Sequence, residues 1–379
     1  MPASNDHNQG SQGGRSVVSI RRVQAAAPNR DAELEAFQKQ VTDRFAQLAS
    51  TGSDELLSLV WLRKLLDAFL TCQEDFRALL FTCRASLSRS PVDRLVSDYF
   101  DRSVKALDLC NAVRDGIEQI RQWQKLVEIV LTSLDNKKSL GEGQFRRAKK
   151  ALIDLALGML DEKDSKGCIS SYRSFGRQSA ADRSGSSLSN FRSLTWSVSR
   201  SWSASRQLQA IANNILAPRG NDIAVGNGVV SAVHTMNWIL LFVMSALVAS
   251  IPCQDRGLLP HFSIPRQFTW AASILSLHDK IYEESKKRDR RNTIGLLKEI
   301  HEMERCGRVV CDLADSVQFP LTNEKEVEVR QGVKELEQVF QVFKEGLDPL
   351  ERQVRDVFNK TVRSRTEGIQ FMGKAPHSE

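Results

Sequence analysis

Proline is scarce in this sequence. There are 10 in 379 residues, widely spaced, so long helices can run without interruption. Cysteine spacing is equally unhelpful to small disulfide folds. The 7 cysteines are odd in number and scattered, with no C-x-x-C pair. That argues against a disulfide framework or a zinc site and predicts buried free thiols in a reducing compartment. The first thirty residues contain no apolar run, so no secretory signal is read there. Pro2 rules out N-myristoylation. Catalytic signatures are missing too. The sequence has no G-x-x-x-x-G-K-[ST], no G-x-G-x-x-G after a strand and no G-x-S-x-G. His301-Glu302-Met303-Glu304-Arg305 begins like a zinc-binding helix, but Arg305 stands where the second histidine is needed. No catalytic residue, cofactor or metal site is assigned.

What is present is charge of one sign in one place. The net charge is +7, which by itself would suggest nucleic acid. Between Ser165 and Gly220, however, eight basic residues face a single acid, Asp182, so this segment holds the whole surplus. The rest of the chain is balanced, as solvated helix faces usually are. A local basic segment fits an anionic membrane surface or an acidic partner, and no nucleic acid is expected.

Apolar residues recur at helical spacing over most of the chain. Leu34, Phe37, Val41, Phe45 and Leu48 mark a first helix. A second is expected from Asp54 as N-cap, and a third carries Phe76, Leu79 and Leu80. Ser90-Pro91 should open a helix of about forty residues that runs through Val104 to Leu134 and is weakened only at Gly116. Phe145 to Met159 forms another. Helices resume after the linker, and Asp348-Pro349 is expected to begin the last one, which carries Leu350, Val354, Val357 and Val362. Convincing strands are nearly absent. The fold class is therefore all-α, an elongated multi-helix bundle with long helices. Residues 1–30 read as a disordered tail, 31–164 as an N-terminal helical region, 165–205 as a basic Ser-rich linker and 206–379 as a C-terminal helical region.

Residues 229–251 contain no Asp, Glu, Lys or Arg and are long enough to span a bilayer. Trp238, Phe242 and Met244 would then face lipid; in the alternative reading they belong to the core of the bundle. His234 and Asn237 speak against spanning, because both would need partners in lipid. A helix apolar on all sides also suits the centre of a soluble bundle. His234 reads as a satisfied core histidine.

The linker ends in SLTWSVSRSWS, residues 193–203. Phe191, Leu194, Trp196, Val198 and Trp202 give it an amphipathic character flanked by Arg200. This suits docking to a membrane interface or a protein partner, where Trp and Arg are enriched, or a linker whose tryptophans simply bury in the core. Ser186, Thr195 and Ser203 each follow a basic residue by three positions and are candidate kinase targets whose phosphates would cancel the local charge.

Three stretches carry a family resemblance: Ser19-Ile20-Arg21-Arg22, FRSLTWSVSRSWSASRQLQA from Phe191, and NWILLFVMSALVASIPCQDRGLLPHFSIPRQFTW from Asn237 to Trp270. The PCQDRGL run with its HFxIPRxFxW continuation is the most specific. Together they resemble the BYPASS-related, Exo70-interacting family of land plants over essentially the whole chain. The resemblance implies a non-enzymatic, cytoplasmic protein that binds an Exo70-type exocyst subunit and influences polarised secretion and root and shoot development. Its rivals are a membrane-anchored regulator that restrains a root-derived mobile signal, and a carrier or enzyme for a small apolar metabolite. The composition of the linker predicts that limited proteolysis cuts first between Ser165 and Ser205. First cuts inside Pro91 to Leu134 would overturn this organisation.

Overall fold

The computed structural model describes residues 27–52, 54–135, 139–159, 202–213, 215, 217–218, 228–253, 259–289 and 295–373. Among the described residues there are ten helices and no strand: α1 (Ala27–Ala49), α2 (Leu59–Thr82), α3 (Arg84–Leu87), α4 (Val92–Ser133), α5 (Glu142–Gly158), α6 (Ala204–Ala212), α7 (Val229–Ser250), α8 (Ala271–Asp289), α9 (Lys298–Ser316) and α10 (Asn323–Gly373). The protein is an all-α multi-helix bundle. At the helical rise, α4 is roughly 63 Å long and α10 roughly 76 Å. Helices from both sides of the basic segment share one core. α10 lies along α2 and α4, while α7 packs against α1, α2, α4, α6 and α8.

The start of α2 is set by Ser58 rather than by Asp54. The Ser58 hydroxyl accepts from the Trp61 N–H at 3.1 Å, which satisfies one of the free donors of the first turn. Asp54 lies four residues earlier, in a turn that ends at Leu57 with a left-handed φ of 62°. The expected second and third helices are one. Leu62, Leu65, Phe69, Phe76, Leu79 and Leu80 are buried along the same unbroken α2. α4 starts at Val92, one residue after Pro91. It buries Ser103 and Ala106 and leaves Val104 exposed, so the apolar stripe drifts at that turn.

α10 was expected to begin at Asp348-Pro349 and instead runs through it as a 51-residue helix. Pro349 removes the N–H that would bond the Glu345 carbonyl, but Glu345 is exposed, so water can take that carbonyl. Neighbours grip the helix on both sides of this point. Arg121 of α4 pairs with Asp348 at 2.7 Å and with Glu351 at 2.6 Å. On the other flank a Cβ at Gly346 would stand 2.8 Å from the Leu59 side chain, so only glycine allows α2 to approach this closely. Beyond the proline, Val354 and Val357 are buried as the spacing implied, while Val362 faces solvent.

A second tether joins the ends of three helices. The Leu296 and Leu297 N–H groups donate to the carbonyls of Ala249 and Ser250, and the Lys298 N–H donates to Leu57. Glu299 accepts from the Leu59 N–H at 3.0 Å. Burial pushes the Glu299 carboxyl above its usual range, with the Leu59 contact opposing.

Gly116 has a packing explanation. A Cβ there would lie 2.0 Å from the Pro252 carbonyl oxygen, because the chain leaving α7 crosses α4 at this residue. On an exposed helix, Gly→Ala would stabilise by about 1 kcal/mol. Here Gly116→Ala should instead destabilise by about 1–3 kcal/mol through overpacking, read as a lower midpoint in urea. An unchanged or higher midpoint would show that residues 251–252 do not sit on α4.

Candidate docking site

Two deeply buried thiols are insulated. Burial pushes the Cys72 thiol up to about 11, against the opposing pull of Arg44, and pushes Cys110 up to about 12. Neither is a thiolate near neutral pH, so neither is an activated nucleophile. On α9, Arg305 donates to Glu302 at 3.0 Å, which makes the HEMER run a charged helix face. No group of three or more metal-ligating side chains occurs among the described residues.

Of the docking segment, Phe191, Leu194, Trp196, Val198 and Arg200 lie outside the described residues, as do Ser186 and Thr195. Its last part is described. Trp202 is half-buried against the core. Ser203 is 4% exposed and its hydroxyl accepts from the Arg206 N–H at 3.3 Å as the N-cap of α6. A kinase could reach that hydroxyl only by unseating the cap. Ala204, Leu208 and Ile211, spaced four and three apart, form the buried stripe of α6, which packs on α4 and α7. The basic segment is thus fastened to the bundle at its C-terminal end.

Trp238, Phe242 and Met244 are all buried on α7, as is every residue of that helix except Ser231. By length and composition α7 could cross a membrane. Here its most apolar eighteen-residue stretch is wholly buried inside the protein. Four of its polar groups, at His234, Thr235, Asn237 and Ser250, have protein partners, whereas the buried Ser245 hydroxyl has none among the described residues. His234 Nε2 accepts from the Trp238 indole N–H at 3.2 Å, and the His234 ring lies 5.0 Å from Phe268. Thr235 accepts from Gln38 at 3.0 Å, and Gln38 accepts from the Trp270 indole N–H at 2.9 Å. Asn237 donates to the Val233 carbonyl at 2.9 Å and accepts from Arg102 at 3.3 Å. Arg102 also reaches the Asn213 carbonyl at 3.4 Å, so one guanidinium links α4, α7 and the end of α6. Burial lowers its pKa, which nearby Asp98 and Asp101 oppose.

Residues 259–270 fold back over α7. Phe262 meets Trp238 at 5.5 Å and Phe242 at 6.3 Å, and its other side lies 4.2 Å from His278. The described parts of the motif, residues 237–253 and 259–270, therefore pack as a helix and the strap that covers it. Between the strap and the end of α6 lies an open groove of about 500 Å³. Ala212, Ile215 and Ala217 form one wall, His261, Ser263, Ile264 and Pro265 the other, and Trp238 is also in its lining. More of its exposed lining is polar than apolar, so it is a shallow concave surface for a partner and not a mostly apolar ligand pocket. No spacing rule in the sequence pointed to this groove, which forms only when residues some fifty apart meet.

A family profile described as "Protein ROH1-like" matches residues 1–372. Protein ROH1D of Arabidopsis thaliana is 55% identical over 97% of this chain and 98% of its own length. Protein ROH1A of the same plant is 36% identical over 97% of each. Protein BPS1, chloroplastic, of Arabidopsis thaliana is 24% identical over 27% of this chain and 29% of its own length. No solved structure matches the chain.

Replacing Arg102 by Leu would strand the Asn237 amide oxygen and the Asn213 carbonyl. A loss of about 1–3 kcal/mol is expected, with faster amide exchange concentrated in α6. Exchange that stays unchanged in α6 would show that Arg102 does not hold it.

Proposed function

We propose, from the premise that this chain belongs to the ROH1-like family of plant proteins, that it is a non-enzymatic, cytoplasmic interaction protein that binds an Exo70-type exocyst subunit. Through that contact it would influence polarised secretion and plant development. The observation that supports this reading is where the basic segment lands. The segment that holds the chain's surplus charge is fastened to the bundle at Trp202 and the capped start of α6, and the far end of α6 lines the open groove against the strap. A charged, aromatic segment tied to the bundle supports electrostatic steering and anchor residues for a partner. The same segment would touch an anionic membrane surface. A kinase acting at Ser186 and Thr195 would weaken both contacts by removing positive charge.

Purified full-length protein and an Exo70-type subunit test the reading by titration calorimetry. Binding is expected to weaken as salt rises, and Trp196→Ala with Arg200→Gln should weaken it by roughly tenfold or more without changing the circular dichroism spectrum. No measurable binding to any Exo70-type subunit would sink the proposal. The buried α7 further implies that alkaline carbonate extraction releases the protein from membranes. Retention in the pellet would favour the membrane-anchored reading.

A further inference from the structure

One end of the bundle is built from four chain segments that meet: the last turns of α2, all of α3, the first turn of α4 and the last turns of α10. Phe81 on α2 is 53% exposed and meets Phe371 of α10 edge-on at 5.7 Å. Ile369 is 43% exposed on the same final turns. The Arg84 guanidinium sits 5.2 Å from the centre of the Phe81 ring. Exposed aromatic and aliphatic side chains on a basic background are thus concentrated where four elements end.

The charge at this end is not balanced locally. Glu74 and Glu367 are the acids of its ion-pair network, and they already hold three basic groups. Glu74 pairs with Arg77 and Lys360, and Glu367 pairs with Arg77 and Arg363. Arg84, Arg89 and Arg94 are exposed and have no ion pair among the described residues. Arg89 and Arg94 flank the start of α4, with Asp93 between them, and Arg84 lies on α3 beside Phe81, so the three belong to the same end of the bundle. We infer that this end is a second contact surface for an anionic membrane, with Phe81 and Ile369 entering the headgroup layer and the three arginines pairing with lipid phosphates and carboxylates. The complementarity is of charge together with small, separate apolar tips. A protein partner would call for a continuous apolar core instead. This contact is separate from the basic linker and would persist when the linker is phosphorylated.

Co-sedimentation of the full-length protein tests this with two vesicle types, phosphatidylcholine alone and phosphatidylcholine mixed with phosphatidylserine. The wild-type protein should sediment only with the mixed vesicles. The triple variant Arg84→Gln, Arg89→Gln, Arg94→Gln should lose on the order of 100-fold in partitioning. Phe81→Ala with Ile369→Ala should weaken binding while keeping its salt dependence. All these residues are exposed, so the variants should fold as wild type, which circular dichroism checks. A linker variant, Arg183→Gln with Arg192→Gln and Arg200→Gln, separates this surface from the proposed linker contact. Bundle-end variants that sediment like wild type overturn the inference, and loss in the linker variant alone then assigns binding to the linker. Wild-type protein that stays in the supernatant also overturns it, and leaves this end to an acidic protein. Exo70-type binding is measured separately without vesicles, so the two proposals fail independently.

Discussion

A helix that is apolar on every side must be enclosed on every side, and α7 imposes that requirement on the rest of the fold. Five helices and the 259–270 strap surround it. Much else follows from building that enclosure. α4 must lie close enough for the chain leaving α7 to cross it, which requires the absence of a side chain at Gly116. The strap must return over α7 with Phe262 and Phe268, and it must turn so that Trp270 reaches Gln38. α10 then packs its apolar stripe on the outer faces of α2 and α4, with charged pairs along the edges. Its exposed ion pairs add little stability individually, and the buried Val354 and Val357 hold it more firmly.

The polar groups on α7 select one arrangement among many that apolar contact would tolerate. Close-packed hydrophobic surfaces discriminate weakly between registers, whereas a buried amide or hydroxyl without a partner costs about 1–3 kcal/mol. Thr235 with Gln38 and Asn237 with Arg102 therefore fix how α7 is rotated against α1 and α4. Asn237, which with His234 makes a bilayer position costly, acts in the bundle as a locator.

Helix content and the long α4 were legible because period 3.6 persists over many turns and no proline interrupts it. The places where the sequence misled were local. Asp54 and Ser58 are both good caps, and the choice between them depends on the left-handed Leu57 and on the docking of residues 298–299 against the start of α2. Pro349 looked like a beginning because proline favours first turns. It became interior because Arg121, almost 230 positions away, grips the next turn. Val104 and Val362 sat at helical spacing, yet face solvent where the stripe drifts. The buried character of Trp238, Phe242 and Met244 was one of two legible readings, and all three side chains lie in the core of the bundle. Arg102 carried no signal, since a lone arginine on a charged helix is ordinary, and His261 stood out only within the HFxIPRxFxW run, which gives no hint of a groove. Ser203 was read as a kinase target for its spacing from Arg200, whereas in the bundle it caps α6.

Chain order gives the enclosure of α7 another meaning. Of the five helices against α7, four precede it in the sequence and only α8 follows. During synthesis, the most water-averse segment of the protein leaves the ribosome after α1, α2, α4 and α6 have been made. A waiting surface can receive it at once, and the next 39 residues bring the strap and α8. An equally apolar helix near the start of the chain would be exposed for the time needed to make its partners, open to aggregation or to capture by membrane-targeting machinery. Its late position lets the protein keep a bilayer-length helix in its interior.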